Sequence, residues 1–337
     1  MVSSAFKMSE KERCILSCAE LLADASASMI SNISGYRTHT VRYCLEKARE
    51  SGLLSRRCFV NLFRLGKSQY ELFFSLNQED AITRERFVNY LLSSDKISWV
   101  GELGGDFQYA INFCAQNMLE LSAFLDRIPP ECGQLIDRKQ LLARQGLWYF
   151  GNKYLSTKKR PVEALRYTFS DSTAAIDELD HKILLGLIEP NPTSRRQLAH
   201  QLGIPLSTME LRIDRLQRNG VIVGYYNHIQ PADVARQGHL LLISTHGFSE
   251  ELTKSFLRFC AEHPTVVVLV RTLGAWDYEI AAEVNSQMEL NLLIQGLQQQ
   301  FGENISDLQI LASFNYLKIS EYPFMNFATQ TVVQRSH

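Results

Sequence analysis

The stretch Gly203-Ile204-Pro205-Leu206-Ser207-Thr208-Met209-Glu210-Leu211-Arg212-Ile213, running through Asp214-Arg215-Leu216 to Asn219-Gly220-Val221-Ile222, decides the fold. Met209, Ile213 and Leu216 recur at i, i+4 and i+7, the spacing of a helix with one apolar face. Gly203 before it suits a tight turn between helices, where a positive backbone angle is needed. Upstream, Ile176, Leu179, Ile183, Leu184 and Leu187 predict a first helix, stopped by Pro190-Asn191-Pro192. Thr193 or Ser194 caps a second helix carrying Leu198 and Leu202. After Gly220 the period changes, and Val221 to Ile229 reads as a small β-element. Three helices backed by a β-element is the layout of a winged helix-turn-helix, whose recognition helix enters the DNA major groove.

The same text occurs earlier, about 168 to 170 residues upstream, a fixed offset that signals an internal repeat. Gly35-Tyr36-Arg37-Thr38-His39-Thr40-Val41-Arg42-Tyr43-Cys44-Leu45 leads through Glu46-Lys47-Ala48 to Ser51-Gly52-Leu53-Leu54. Ile15, Leu16, Ala19 and Leu22 are expected inside on the first helix, Met29, Ile30 and Ile33 on the second, and Val41, Leu45 and Ala48 on the third. A second motif, Leu273-Gly274-Ala275-Trp276-Asp277-Tyr278-Glu279, is echoed by Leu103-Gly104-Gly105-Asp106-Phe107-Gln108, with one residue fewer between glycine and aspartate.

Each helical unit is followed by alternating strands and amphipathic helices. In the second copy these are strands His239–Thr245, 265–271, Tyr278–Val284 and 307–319, with helices 249–263 and 288–301. The first copy reads 70–76, 84–92, 96–101, 107–113, 120–128 and 141–150. Both give β-α-β-β-α-β, the ferredoxin-like plan. The fold class expected is α+β: two winged helix-turn-helix domains (9–60 and 175–230) and two ferredoxin-like domains (68–155 and 238–324). An internal tandem duplication arranges them, with a linker at 156–174 and a tail at 325–337. A sheet with both helices on one side leaves its other face to be covered, so the two sheets are expected to pack together.

A chain of 337 residues with 45% hydrophobic and 21% charged side chains supports several packed cores. No apolar run is long enough to span a membrane and the N-terminus lacks a secretory signal, so a cytoplasmic protein without membrane partners is expected. The seven cysteines include no CxxC pair; they read as small buried hydrophobes, with no metal and no cofactor. Residues 1–168 carry 23 Lys and Arg against 18 Asp and Glu, and residues 169–337 carry 12 against 18. Phosphate neutralisation supplies much of DNA affinity, so the first half is the more basic candidate reader, though drift between copies gives the same asymmetry.

The side chains expected to reach double-stranded DNA are Arg37, His39, Thr40, Tyr43 and Lys47 on the first unit, with Arg56 and Arg57 opening its wing. On the second unit they are Ser207, Thr208, Arg212, Arg215 and Arg218. Glu46, Glu50, Glu210 and Asp214 place acid nearby and keep open a purely structural or assembly role. The segment Ser156-Thr157-Lys158-Lys159-Arg160-Pro161 reads as a solvated tether or a nonspecific phosphate contact.

The second half resembles the Lrp/AsnC (feast/famine) transcription regulators, in the helix-turn-helix over Ile183 to Ile222 and in the Gly-x-x-Asp turn at Gly274-Ala275-Trp276-Asp277. The Gly-Ala-Trp-Asp-Tyr-Glu segment followed by Glu321-Tyr322-Pro323 further resembles tandem, double-length members. The resemblance implies a DNA-binding regulator, a homo-oligomer through the effector domains. It also implies an amino acid or related effector bound at Gly274, Ala275, Trp276 and Asp277, where the carboxylate pairs with an ammonium group. The alternative for Asp277 is a turn aspartate bonded to backbone. Sirohaem decarboxylases resemble the same domain pair, which makes an enzyme the competing class; His246, His263 and Arg271 are its isolated candidates. The divergence of the copies predicts sensing in the second half and DNA contact in the first.

Overall fold

The computed structural model describes residues 8–77, 81–158, 160, 162, 164–170, 172–189, 193–229, 236–247 and 249–324. The expected helix stop at Pro190-Asn191-Pro192, Lys159, Pro161 and the tail 325–337 lie outside these residues.

The first half runs α1 (Glu10–Ala19), α2 (Ala27–Ser34), α3 (Thr38–Glu50), β1 (Ser55–Val60), β2 (Ser68–Leu76), α4 (Ala81–Ser93), β3 (Ile97–Gly104), β4 (Tyr109–Ala115), α5 (Met118–Asp126), a single turn α6 (Pro130–Gly133) and β5 (Ile136–Tyr149). After β6 (Leu165–Thr168), the second half repeats the order: α7 (Glu178–Ile188), α8 (Arg195–Gln201), α9 (Leu206–Arg218), β7 (Ile222–His228), β8 (Gln237–Thr245), α10 (Glu250–Glu262), β9 (Val266–Leu273), β10 (Tyr278–Val284), α11 (Gln287–Phe301) and β11 (Ile305–Ile319).

Local chemistry starts the helices at matching places. Ser9 and Glu12 form a capping box on α1, and Asp177 and Asp180 form one on α7. Ser26 caps α2 through Met29 N, and Ser194, rather than Thr193, caps α8 with Gln197. Such caps satisfy amides that a helix start leaves open and contribute about 1 kcal/mol each. Gly35 (φ +76°) and Gly203 (φ +67°) make the turns before the third helices, where a side chain would be strained. Val41, Leu45 and Ala48, and Met209, Ile213 and Leu216, are buried as their spacing requires. Met29 is an exception: it is 46% exposed, and Ile30 fills the core of that unit instead.

The β-elements behind the helices do not form separate wings. β1 pairs antiparallel with β7, from Ser55 opposite His228 to Val60 opposite Ile222, as one two-stranded ribbon. The halves exchange packing across it. Cys58 and Val60 enter the core of the second helical unit, and Ile229 enters that of the first. The strand alternation explains this, because Phe59, pointing the other way, joins a separate cluster with Tyr149, Tyr167 and Tyr226.

The two ferredoxin-like sheets join edge to edge as well as face to face. The order β2-β4-β3-β11-β8-β10-β9-β5 closes through a β2–β5 pairing into an eight-stranded ring, with β6 added outside β5. The long strands β5 and β11 make the closure, each leaving its own sheet for the other. Ala143 faces Tyr70 of β2 and Leu273 of β9, and Ala312 faces His239 of β8 and Gly104 of β3. Among the described residues, closure pairs each of the eight ring strands on both sides and leaves β6 as the edge strand, so chains that pair through the ring must use other surfaces.

The expected linker is also structured. β6 is an edge strand, Lys158 Nζ donates to Ser34 O (2.7 Å), and Arg160 Nη1 lies 3.2 Å from the fully buried Glu20 carboxylate. Tyr149 OH (3.0 Å) and Asn152 N (2.8 Å) also donate to Glu20. Lys158 and Arg160, which are described, thus tie to the first helical unit and to the end of β5, which corrects the reading of a solvated tether at these positions. A buried carboxylate requires such partners.

Candidate recognition helices, inter-sheet turn and luminal charges

The two third helices differ in what their outer faces offer. On α3, Arg37, His39, Arg42 and Tyr43 are exposed, Tyr43 by 68%, and Thr40 is half-buried beside His39. Lys47 is tied to Glu12 at 3.0 Å. On α9, Ser207 and Arg218 are exposed and Thr208 half-buried, while Leu211, 64% exposed, stands where α3 has Tyr43. Arg212 lies 2.7 Å from Asp177 and 3.0 Å from Asp180, and Arg215 also pairs with Asp180. The capping acids of α7 thus hold two arginines expected to meet phosphate. Arg42, which the residue-type reading passed over, is the exposed cation beside Tyr43.

Arg56 and Arg57 are not on this face. Arg56 stacks over the Tyr225 ring at 4.8 Å, and Arg57 Nη1 donates to Ile319 O at 3.1 Å. Both belong to the β1–β7 ribbon and join it to neighbouring elements, which corrects their assignment to a DNA-reaching wing.

The Gly-x-x-Asp turn between β9 and β10 is built by its contacts with the other half. Gly274 has φ +154°, and a Cβ there would sit 3.1 Å from Leu142 and 3.2 Å from Leu141 O of β5. Trp276 is 5% exposed, packs edge-on against Phe73 (4.9 Å between ring centroids), and donates from Nε1 to Glu279 (2.8 Å). Asp277 Oδ2 accepts from Thr245 N (2.7 Å) and Thr245 Oγ1 (2.8 Å). Of the four residues expected to meet an effector, only Gly274 and Ala275 are exposed. Trp276 is core, and Asp277 acts as a turn carboxylate bonded to backbone, the alternative its sequence allowed.

The first copy of the turn is not shortened. Gly105 (φ +121°) takes the place of Gly274 and presses on Leu311 of β11; Phe107 takes the place of Trp276. Gln108 replaces Asp277: Gln108 Oε1 accepts from Leu76 N (3.1 Å), Gln108 N donates to Phe74 O (3.0 Å), and Leu103 N donates to Gln108 O (2.7 Å). In the second half the matching bonds are Thr245 N to Asp277, Asp277 N to Ile243 O and Thr272 N to Asp277 O. Asp106 instead faces outward to Arg138 and Gln309.

Behind Trp276 the space between the sheets holds buried charges that the sequence reading did not single out. Glu71, Arg144 and Glu279 meet there: Arg144 Nε lies 3.3 Å from Glu71. With its amide oriented to satisfy both neighbours, Asn112 donates to Glu71 (2.9 Å) and accepts from Arg144 (2.7 Å). Burial and the adjacent Glu71 raise Glu279 well above the usual carboxylate range. Further along, burial pushes Glu283 up to about 8 against the Tyr154 hydroxyl that donates to it. Burial, with Arg57 nearby, pushes His228 down to about 4.

Glu283 makes a pH-dependent contribution with a defined sign. Its folded value of about 8 lies above the ordinary 4.5, so between these values the folded state holds a proton that the unfolded state releases. Stability from this group is therefore lost as pH rises through that window. Glu283→Gln keeps an acceptor for Tyr154 without the titration. Urea melts at pH values from about 5 to 8 are expected to move the stability difference steadily in the variant's favour, by roughly 1.4 kcal/mol per pH unit at most. A constant difference contradicts the assignment.

Residues 176–223 match the winged helix-turn-helix DNA-binding family model. The HTH-type transcriptional regulator AldR of Mycolicibacterium smegmatis is 31% identical over 104 residues, which is 31% of this chain and 61% of AldR, so the chain spans under two thirds of that relative. The structure of an AsnC family transcriptional regulator from Agrobacterium tumefaciens is 25% identical, covering 43% of this chain and 94% of its own, with a TM-score of 0.38. Over nearly the whole length, 96% of each chain, the fold is shared with the sirohaem decarboxylase NirDL at 12% identity and a TM-score of 0.59. These findings define a winged helix-turn-helix unit over residues 176–223, in a half of the chain that is similar in sequence to HTH-type transcriptional regulators. The order of three helices, a strand and βαββαβ occurs twice along the chain. Among the described residues no helix is long and apolar enough to cross a membrane.

Proposed function

We propose that this chain is a DNA-binding transcriptional regulator of the Lrp/AsnC type in tandem form, with α3 as its principal reading helix. The observation that carries this reading is the pairing of two helix-turn-helix units through one β1–β7 ribbon, with the outer faces of α3 and α9 left exposed. A single chain then presents the pair of readers that dimeric regulators obtain from two subunits. The difference between the faces gives the bias: Arg37, His39, Arg42 and Tyr43 are open on α3, whereas Asp177 and Asp180 hold Arg212 and Arg215 on α9.

Fluorescence anisotropy with duplexes from the gene's own upstream region, across about 50 to 200 mM salt, tests this. Arg37→Ala with Arg42→Ala is expected to weaken binding and lower the salt slope by about 2, one per phosphate contact. Arg218→Ala has the smaller effect. Asp177→Ala, which loosens Arg212, is expected to tighten binding. No salt-sensitive binding to any duplex, or no response to the α3 pair, rejects the reading.

For an amino-acid effector, the exposed backbone of Gly274 and Ala275 is the contact surface, with Asp277 reached only if Thr245 releases it. Because the ring's strand edges are internally paired, we propose that homo-oligomers form through outer surfaces of the effector domains. The likeness to NirDL favours an enzyme as the second reading. Sirohaem is an iron tetrapyrrole bearing many carboxylates, and the inter-sheet cavity fits it poorly. The cavity is about 200 Å³ and is lined by Glu71, Glu279, Glu283 and Glu321 against Arg144. That is smaller than the roughly 300–1,000 Å³ usual for drug-sized ligands and of the wrong charge. His246, His263 and Arg271 do not line it. Incubation with sirohaem, followed for carbon dioxide release, separates the readings.

A further inference from the structure

We propose that the inter-sheet cavity is a binding site for a small organic cation, a protonated amine with an apolar body, held between the two halves of the chain. The cavity, of about 200 Å³, opens between the first and second sheets behind the Trp276 plug and runs toward the β1–β7 ribbon. Its shape follows from β10, whose inward positions are Glu279, Ala281 and Glu283. Two acids flank an alanine, and the missing side chain between them leaves the room.

Three features define the occupant. The first is charge: four carboxyl groups, Glu71, Glu279, Glu283 and Glu321, line the space with Arg144, so an entering cation meets acids and an entering anion meets repulsion once they ionise. The second is the wall, in which Trp99, Tyr149, Tyr226 and Tyr316 supply ring surface suited to an ammonium group and an apolar body. The third is unmet hydrogen bonding. Gln69, 4% exposed, accepts from Tyr167 OH through Oε1 while its Nε2 has no partner among the described residues. His228 Nε2, on the ribbon side of the same cavity, is also unpartnered. Buried polar groups without partners cost stability, and a ligand carrying an ammonium at one end and a hydroxyl at the other satisfies both ends of this cavity.

Burial raises Glu279 above the usual carboxylate range and pushes Glu283 up to about 8, which favours their protonated forms. A cation stabilises the carboxylate form, so binding releases protons to solvent and tightens as pH rises. This site is separate from the exposed Gly274–Ala275 surface and does not depend on DNA binding.

The test uses the full chain without DNA and three compounds of one shape: tyramine, its neutral alcohol analogue tyrosol, and the anion 4-hydroxyphenylacetate. Isothermal titration calorimetry in two buffers of different ionisation enthalpy is expected to show saturable tyramine binding with proton release at pH 7. Tyrosol should bind about ten-fold more weakly, a difference of about 1.4 kcal/mol, and the anion should give no saturable signal. Glu283→Gln is expected to reduce tyramine affinity about ten-fold, and Ala281→Leu, which fills the cavity, to abolish it. Equal binding of all three compounds, no saturable tyramine binding, or binding without proton release overturns the proposal. Because proton release is read on the unaltered chain, the outcome stands even if a variant fails to fold. Loss of DNA binding with tyramine binding intact rejects only the regulator reading.

Discussion

Trp276→Ala is expected to cost about 3–5 kcal/mol of unfolding free energy, the range for truncating a buried large aromatic. Trp276 is the largest side chain of the cluster that seals one end of the inter-sheet space, with Phe73, Leu103, Phe107, Leu142, Leu242 and Leu311 around it. It joins residues of both halves, meeting Phe73 at 4.9 Å and Phe107 at 6.3 Å between ring centroids. The substitution leaves a cavity that the paired sheets cannot collapse into, because the β3–β11 and β5–β9 pairings fix their spacing. It also removes the indole N–H donor from Glu279. Trp276→Phe refills much of the volume without that donor and is expected to recover most of the loss. Urea unfolding followed by far-UV circular dichroism checks both. A loss below about 1 kcal/mol for the alanine variant would place this residue outside a packed core.

Arg144→Met is expected to be comparably destabilising, about 3–5 kcal/mol, because it removes the cation from a buried cluster and leaves its acids behind. Arg144 lies 3.3 Å from Glu71, and each side chain is at most 10% exposed. Without the guanidinium, Glu71 loses the charge that favours its ionised form, and both Glu71 and Glu279 must hold protons in the folded state. The damage is therefore expected to grow as pH rises, since the unfolded chain gives those protons up more readily. Adding Glu71→Gln removes one of the stranded acids and is expected to restore a large part of the lost stability. The double-mutant cycle measures the pair directly. Additive effects would mean that Arg144 and Glu71 act independently.

Both substitutions test features that no single stretch of sequence displays. In Tyr70-Glu71-Leu72-Phe73-Phe74 and in Tyr278-Glu279-Ile280-Ala281-Ala282-Glu283, the acids all fall on one face of otherwise apolar strands. Alternation normally marks such a face as solvent-facing. Here that face turns inward because a second sheet covers it, so Glu71, Glu279 and Glu283 are buried. An acid on the polar face of an amphipathic strand has the same sequence signature in either case. The first turn obeys the same logic: residue identity pairs Asp106 with Asp277, whereas the backbone bonds align Gln108 with Asp277. An amide and a carboxylate oxygen accept the same amide hydrogen, so the turn keeps its geometry while its charge changes.

Period and punctuation alone determined the helices, their caps, the turn glycines Gly35 and Gly203, and the β-α-β-β-α-β order, because these depend on neighbours within a few residues. Tertiary structure decided the β1–β7 ribbon, the closure of the ring through β5 and β11, and the withdrawal of Arg56, Arg57 and Trp276 from the surface. It also decided that Asp177 and Asp180 hold Arg212 and Arg215 on one reading helix while Arg42 and Tyr43 stay open on the other. The physical reason is common to all of these: strand pairing, burial and ion pairing depend on groups far apart in the chain, and their sign changes with what lies opposite.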